Sequence, residues 1–238
     1  MDFGERLLLC GAEISRVEDS ISRLCSAYGA HAESFVLTSV IYLTVEWNGE
    51  SKTILRRIKN YQTDLNLLDK LNDLCRRICA DPLPIPEAKK ELESVRSGQY
   101  GMWLLAGGYA FVAASFSLFF GGCTRDAGIS AIIGLLLFFV DRSLIKLQLN
   151  RIFSVFLASV WCGFLAAGAM KLGWGVRLES IIIGDIMLLV PGLAITNSVR
   201  DMIKGDMLSG ILRLLESVLI AVSMTIGFAI PQMLMGII

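Results

Sequence analysis

Apolar residues recur at helical spacing from Phe3 to Leu9 and from Val17 to Tyr28, where Val17, Ile21, Leu24 and Cys25 share one face. Ser15, with Glu18 three residues on, reads as the cap of the second helix, and Gly29 as its stop. Then the period changes. Ala32 to Thr38, Val40 to Trp47 and Lys52 to Ile58 are rich in β-branched and aromatic residues, which predicts three strands. Asn48-Gly49 lies between the last two, and this pair supplies the two positive-φ positions that a tight hairpin requires. Helical spacing resumes over Leu65 to Ala80, with Leu67, Leu68, Leu71, Leu74, Cys75 and Ile78 on one side. The run Asp81-Pro-Leu-Pro-Ile-Pro ends it, and a short helix follows from Ile85 to about Val95. Residues 1–96 thus read as a small α+β domain with a three-stranded sheet.

After Arg96 alternation gives way to long apolar runs. Lipid requires about 20 apolar residues per crossing helix. No charge occurs between Arg96 and Arg125, so a first crossing is expected near 100–121. Further crossings are expected at 126–148, 152–170, 178–199 and 212–237. The second has a short uncharged core, Ala127 to Val140, and must extend by snorkelling of Arg142 and Lys146. The expected fold is a cytoplasmic α+β domain (1–96) followed by a transmembrane bundle of five helices (97–238). Small residues such as Gly107, Gly108, Ala113, Gly163 and Ala166 suit close helix packing in lipid.

Composition sharpens this division. Over the whole chain 54% of residues are hydrophobic, above a soluble domain's share. Net charge is zero, which offers nothing to nucleic acid, but residues 1–96 hold 13 of the 22 basic and 15 of the 22 acidic side chains. Basic residues also set orientation. Lys89, Lys90, Arg96, Arg142, Lys146, Arg151, Arg200, Lys204 and Arg213 fall on one side of a five-crossing chain, and Arg125, Lys171 and Arg177 on the other. The N-terminus is therefore expected in the cytoplasm of a multi-pass plasma-membrane protein and the C-terminus outside. The six cysteines form no CxxC pair and read as reduced packing residues. His31, the single histidine, reads as a loop residue, and no metal or cofactor is expected.

The chemistry points to the stretch from Leu178 to Asp201. Asp185 sits deep in its apolar run, where a carboxylate costs roughly 2.5–3.5 kcal/mol on insertion scales. Pro191-Gly192 interrupts the same run, and an interrupted helix frees backbone groups that a neighbour, water or a solute must satisfy. Thr196 and Asn197 add a hydroxyl and an amide one turn on, and Asp201 and Glu216 are further acids along the expected pathway. Asp185 can accept a proton, bind an ammonium group or make an interhelical hydrogen bond; Pro191-Gly192 can form a site or a packing kink. Glu13, Arg16 and Glu18 form a polar cluster that reads either as a contact surface or as a solvated helix face. No nucleophile elbow, zinc-ligand set or phosphate loop is present, so no catalytic residue is expected. A membrane-bound metabolite sensor is the main alternative to a transporter.

Two long stretches carry a family resemblance. GAEISRVEDSISRLCSAYG at 11–29 and KLNDLCRRI at 70–78 are similar to the soluble part of the threonine/serine exporter family, and LVPGLAITNSVRDMIKGDMLSGILRLLE at 189–216 resembles its most characteristic membrane stretch. The resemblance implies a cytoplasmic head and five crossings, with a second block of about five more either fused or supplied by a small separate membrane protein. It implies that this chain is the large component of a two-component secondary exporter, with that small partner, a homo-oligomer, or both completing it. The implied substrates are small polar metabolites, threonine and serine in some members and small dicarboxylates such as succinate in related two-part systems.

Overall fold

The computed structural model describes residues 1–59, 63–98 and 100–236. Ile237, where the fifth crossing was expected to end, lies outside them. The chain divides into two compact units, Met1–Gln99 with Leu193–Leu214, and Tyr100–Gly192 with Leu215–Ile238.

The first unit holds α1 (Asp2–Leu9), α2 (Ile14–Ala27), strands β1 (His31–Leu37), β2 (Val40–Trp47) and β3 (Glu50–Arg57), and helices α3 (Leu65–Ala80) and α4 (Ile85–Ser94). The strands form an antiparallel sheet in the order β1-β2-β3. Asn48 (φ 51°) and Gly49 (φ 80°) make the β2–β3 hairpin, the positive-φ pair that the strands' twist demands. One sheet face supplies Val36, Ile41 and Leu43 to a core shared with Leu7, Leu8, Val17, Leu71 and Leu74. Each such side chain contributes about 1.5–3 kcal/mol by leaving water. Two local expectations are corrected. His31 opens β1 because its backbone pairs opposite Glu46. The cap of α2 is Glu13, not Ser15, and the helix begins at Ile14.

The same unit contains α9 (Gly192–Ile203) but for its first residue, and the opening residues of α10 (Met207–Leu234). Gly11, Ala12 and the first turn of α2 rest against these two helices, through side chains described below.

The second unit contains α5 (Met102–Phe119), α6 (Thr124–Lys146), α7 (Arg151–Lys171), α8 (Leu178–Ile186) and the remainder of α10. α8 packs on α5, α6 and α7. In α5 the buried residues are small, Ala106, Ala113 and Ser117, while Phe111 and Phe119 are 73% and 79% exposed. Small inside and large outside reverses a soluble helix and suits association within lipid.

Among the described residues four helices are long and apolar enough to cross a membrane: α5, α6, α7 and α10. The expected fifth, at 178–199, is two shorter helices, α8 and α9. Turns at Met187–Leu189, then Val190 and Pro191, separate them. Pro191 has no N–H to continue the ladder, and the residue before a proline is pushed toward extended backbone. The structure is helical with a three-stranded sheet and four candidate membrane helices, and the count of five is not carried by helix length.

Candidate functional site

Among the described residues three carboxylates are fully buried: Asp126, Asp185 and Asp201. Burial of a carboxylate is costly unless partners replace its water. Their surroundings differ.

Asp126 lies in the first turn of α6. Its carboxylate accepts backbone N–H groups from Cys123 at 3.0 Å, Val176 at 2.7 Å and Arg177 at 3.2 Å, which ties the α6 N-terminus to the segment entering α8. It is structural, and its partners stand 50 and 51 residues along the chain.

Asp201, near the end of α9, accepts the Ile14 N–H at 3.1 Å and stands 3.2 Å from the Arg213 guanidinium, itself only 4% exposed. Asp201 therefore caps α2 from 187 residues away, which is why Glu13, with no side-chain capping bond of its own, is sufficient as the N-cap residue. The negative charge also lies at the positive end of the α2 dipole. Around it, Arg213 donates to the Ala12 carbonyl at 3.4 Å, and the Asn197 amide donates to the Gly11 carbonyl at 3.3 Å. Glu13 accepts from Arg200 and, at 3.3 Å, from Lys204; Arg16 lies 3.5 Å away. Burial raises the Glu13 pKa, but these cations outweigh it and hold the carboxyl below the usual range. Glu18 instead accepts the Val36 N–H at 3.0 Å, and burial, opposed by that bond, raises its pKa.

Asp185 lies in the last turn of α8, beside the break, and neither carboxylate oxygen has a hydrogen-bond partner among the described residues. The Ser117 hydroxyl on α5 is likewise buried without one. Cys162 of α7 is within electrostatic reach of Asp185. The neighbouring Gly184 allows this closeness: a Cβ there would stand 2.6 Å from the Ala113 carbonyl and 3.1 Å from both the Ser117 Cβ and the Ser130 hydroxyl. The unit thus encloses an acid, a hydroxyl and a thiol where three helices meet α8.

The expected site residues therefore divide. Asp185 and Pro191 lie at the break in the second unit, with Gly192 exposed at the start of α9. Asn197 and Asp201 are engaged with the backbone around Gly11 and Ile14, and Thr196 is exposed on α9. Glu216 is half-buried on α10. Glu13 meets α9 and its following turn, Arg16 pairs with Glu13 from within α2, and Glu18 faces β1. From sequence, Arg200 and Lys204, with Asp201 and Asp206, read either as an ion-pair gate or as solvated charges at the membrane edge, and Arg213 as a basic residue bordering the membrane. A basic residue every few positions opposite an acidic N-terminal cluster was the available signal, and it carried no address.

No group of three or more His, Cys, Asp or Glu among the described residues is arranged to hold a metal. All six cysteines are free.

Four candidate membrane helices among the described residues fit a multi-pass membrane protein. The chain belongs to the threonine/serine exporter family (ThrE), whose sequence profile it matches over residues 1–235. It is 26% identical over 184 residues to the "Probable threonine/serine exporter" of Mycobacterium tuberculosis, a match over 75% of this chain and 34% of that protein. It is 23% identical over 237 residues to the "Probable succinate transporter subunit YjjP" of Escherichia coli, covering 97% and 91% of the two chains. The "Threonine/serine exporter" of Corynebacterium glutamicum is 21% identical over 226 residues, 91% of this chain and 46% of that one. The chain thus spans a third to a half of the two relatives named as exporters and nearly all of the one named as a subunit. No solved structure matches it.

Proposed function

We propose that this chain is a subunit of a secondary transporter that exports small polar metabolites, with threonine- and serine-type amino acids as the leading substrates. The observation that carries the site is Asp185, fully buried in the membrane unit with neither oxygen hydrogen-bonded. A carboxyl group left in that condition contributes nothing to packing, whereas it suits a proton or a substrate ammonium that visits it. Pro191, which has no N–H, interrupts the helix ladder one to two turns on, between α8 and α9. At zero exposure Asp185 is closed to solvent, so this conformation is occluded and opening requires movement at the 187–192 turn. Residues 1–96 form the cytoplasmic domain, and residues 97–238 cross the bilayer five times, the fourth time at 178–199. The chain carries out no catalysis, and a small membrane protein, or a second copy of the chain, completes the pathway.

A second substrate reading, export of small dicarboxylates, has one specific support: the near end-to-end match with the succinate transporter subunit. A dianion beside Asp185 requires that carboxyl to be protonated, which makes a proton the natural coupling ion.

The test is efflux. Cells loaded with threonine- and serine-containing dipeptides, or with succinate, are compared with and without this gene and any small membrane protein encoded beside it. Retention of one solute class on deletion identifies the substrate. Unchanged efflux of amino and dicarboxylic acids alike would overturn the proposal.

A further inference from the structure

The first unit contains a cleft of about 410 Å³ between α2 and α3, closed on one side by Lys204, the residue after α9. Four cations line it, Arg16, Arg23, Arg76 and Lys204, against the single acid Asp19. The acids that pair with these cations are shared or loosely held. Glu13 alone serves Arg16, Arg200 and Lys204. Asp73 serves both Arg76 and Arg77, each at 3.4 Å. Only Arg23 has a close private partner, Asp19 at 2.9 Å, and both are well exposed. Exposed pairs of this kind are weak and exchange readily for a better acceptor. Each guanidinium also carries five donors in a planar fork, more than one carboxylate engages, and the fork matches carboxylate and phosphate oxygens.

We propose that this cleft binds a small organic or inorganic polyanion, one bearing two or more carboxylate or phosphate groups, as an effector of the chain. The volume is in the range of small-molecule sites and far below what a macromolecule requires. The fit is to charge at two ends: Arg23 and Arg76 on facing helices grip one anionic group, and Arg16 and Lys204 the other. Lys204 gives the site a consequence. Its ammonium bonds Glu13 at 3.3 Å and Ser15 at 2.9 Å, so an anion that draws it into the cleft loosens one of the contacts between the α2 N-terminus and the segment following α9. Occupancy is thus transmitted to α9, the helix that begins at the break. This site is distinct from Asp185 and is read without any flux, so its test stands or falls apart from the transport proposal.

The experiment is calorimetric titration of the full chain in nanodiscs with succinate, inorganic phosphate and pyrophosphate, at a fixed ionic strength of about 0.15 M to screen surface charge. One-to-one saturable binding of succinate or pyrophosphate, tighter than that of single-group phosphate, is expected, weakened roughly tenfold or more in the Arg23→Gln/Arg76→Gln double variant, since charge-assisted bonds are lost. Lys52→Gln, on an exposed strand position away from the cleft, should bind as the parent does. Cys79 also lines the cleft and reports on it directly: the bound anion should slow its alkylation by N-ethylmaleimide, quantified by mass spectrometry. Absence of saturable binding for both succinate and pyrophosphate overturns the proposal. So does equal weakening in the double variant and in Lys52→Gln, which marks general charge screening, or Cys79 labelling that saturating anion leaves unchanged.

Discussion

Three buried aspartates of equal exposure give three different outcomes on substitution, because their partners differ. Asp126 satisfies three part-buried backbone N–H groups, so Asp126→Ala leaves all three without this acceptor. The expected loss is roughly 2 kcal/mol or more, read as a lower melting temperature of the purified protein. Asp201→Ala removes the carboxylate from a buried guanidinium and from the α2 N-terminus together. Breaking a buried pair in this way costs about 3–5 kcal/mol, and Asp201→Asn should recover the capping share of it while leaving the ionic share lost. Asp185→Asn should do the reverse: thermal stability unchanged or slightly raised, because no bond is broken, and export abolished. Functional groups are commonly held at a cost in stability, and their removal relieves it. If Asp185→Asn exports normally, or unfolds as Asp126→Ala does, the acid is a structural residue and the pathway lies elsewhere.

At the scale of elements, the break between α8 and α9 is testable through its backbone. Pro191→Ala restores a donor and removes the ring that clashes with the preceding turn. Amide exchange of residues 187–192 should then slow as helix forms across the turn, and export should fall with the lost hinge. A Cβ at Gly192 meets nothing within 4 Å, so Gly192→Ala should fold normally. The contact of α2 with α9 adds a pH dependence. Cations hold the Glu13 carboxyl below its ordinary pKa, so its contribution is complete above the unfolded value, near 4.3, and is lost as pH falls through the lowered folded value. Glu13→Gln should abolish that acid-side loss, measured as the melting temperature between pH 6 and the lowest pH at which the protein stays dispersed. These elements also show what was legible beforehand. The strands, the Asn48-Gly49 turn, α3 and the proline break were all visible because their signals are local: alternation, a turn pair, helical spacing, a missing N–H. The α2 start was misplaced by two residues because its capping group, Asp201, is distant in sequence, and no periodicity records a partner 187 residues away. Asp185 was visible as an anomaly in an apolar run, but so was Asp201 at its edge; only the folded chain separates the unpartnered acid from the one that caps a helix.

For the whole molecule the open quantity is the number of crossings, and the termini decide it. Counting helices by length gives four, α5, α6, α7 and α10, which places residues before α5 and after α10 on the same side. Counting α8 and α9 as one interrupted crossing gives five and places them on opposite sides. Interrupted crossings are tolerated in lipid where the freed backbone is enclosed by protein, and α8 packs on three neighbours with Gly184 against the Ala113 carbonyl. Basic residues argue in the same direction. With five crossings, nine Lys and Arg residues at or near the membrane borders fall on one side and three on the other, whereas a four-crossing chain places Arg200, Lys204 and Arg213 with Arg125, Lys171 and Arg177. Cysteine introduced at Asn48 in the hairpin and at Met235 after α10, in a background with the native thiols replaced, distinguishes the two. A membrane-impermeant maleimide applied to intact cells should label Met235→Cys and spare Asn48→Cys, and inverted vesicles should give the opposite pattern. Labelling of both positions from the same side would overturn the five-crossing reading.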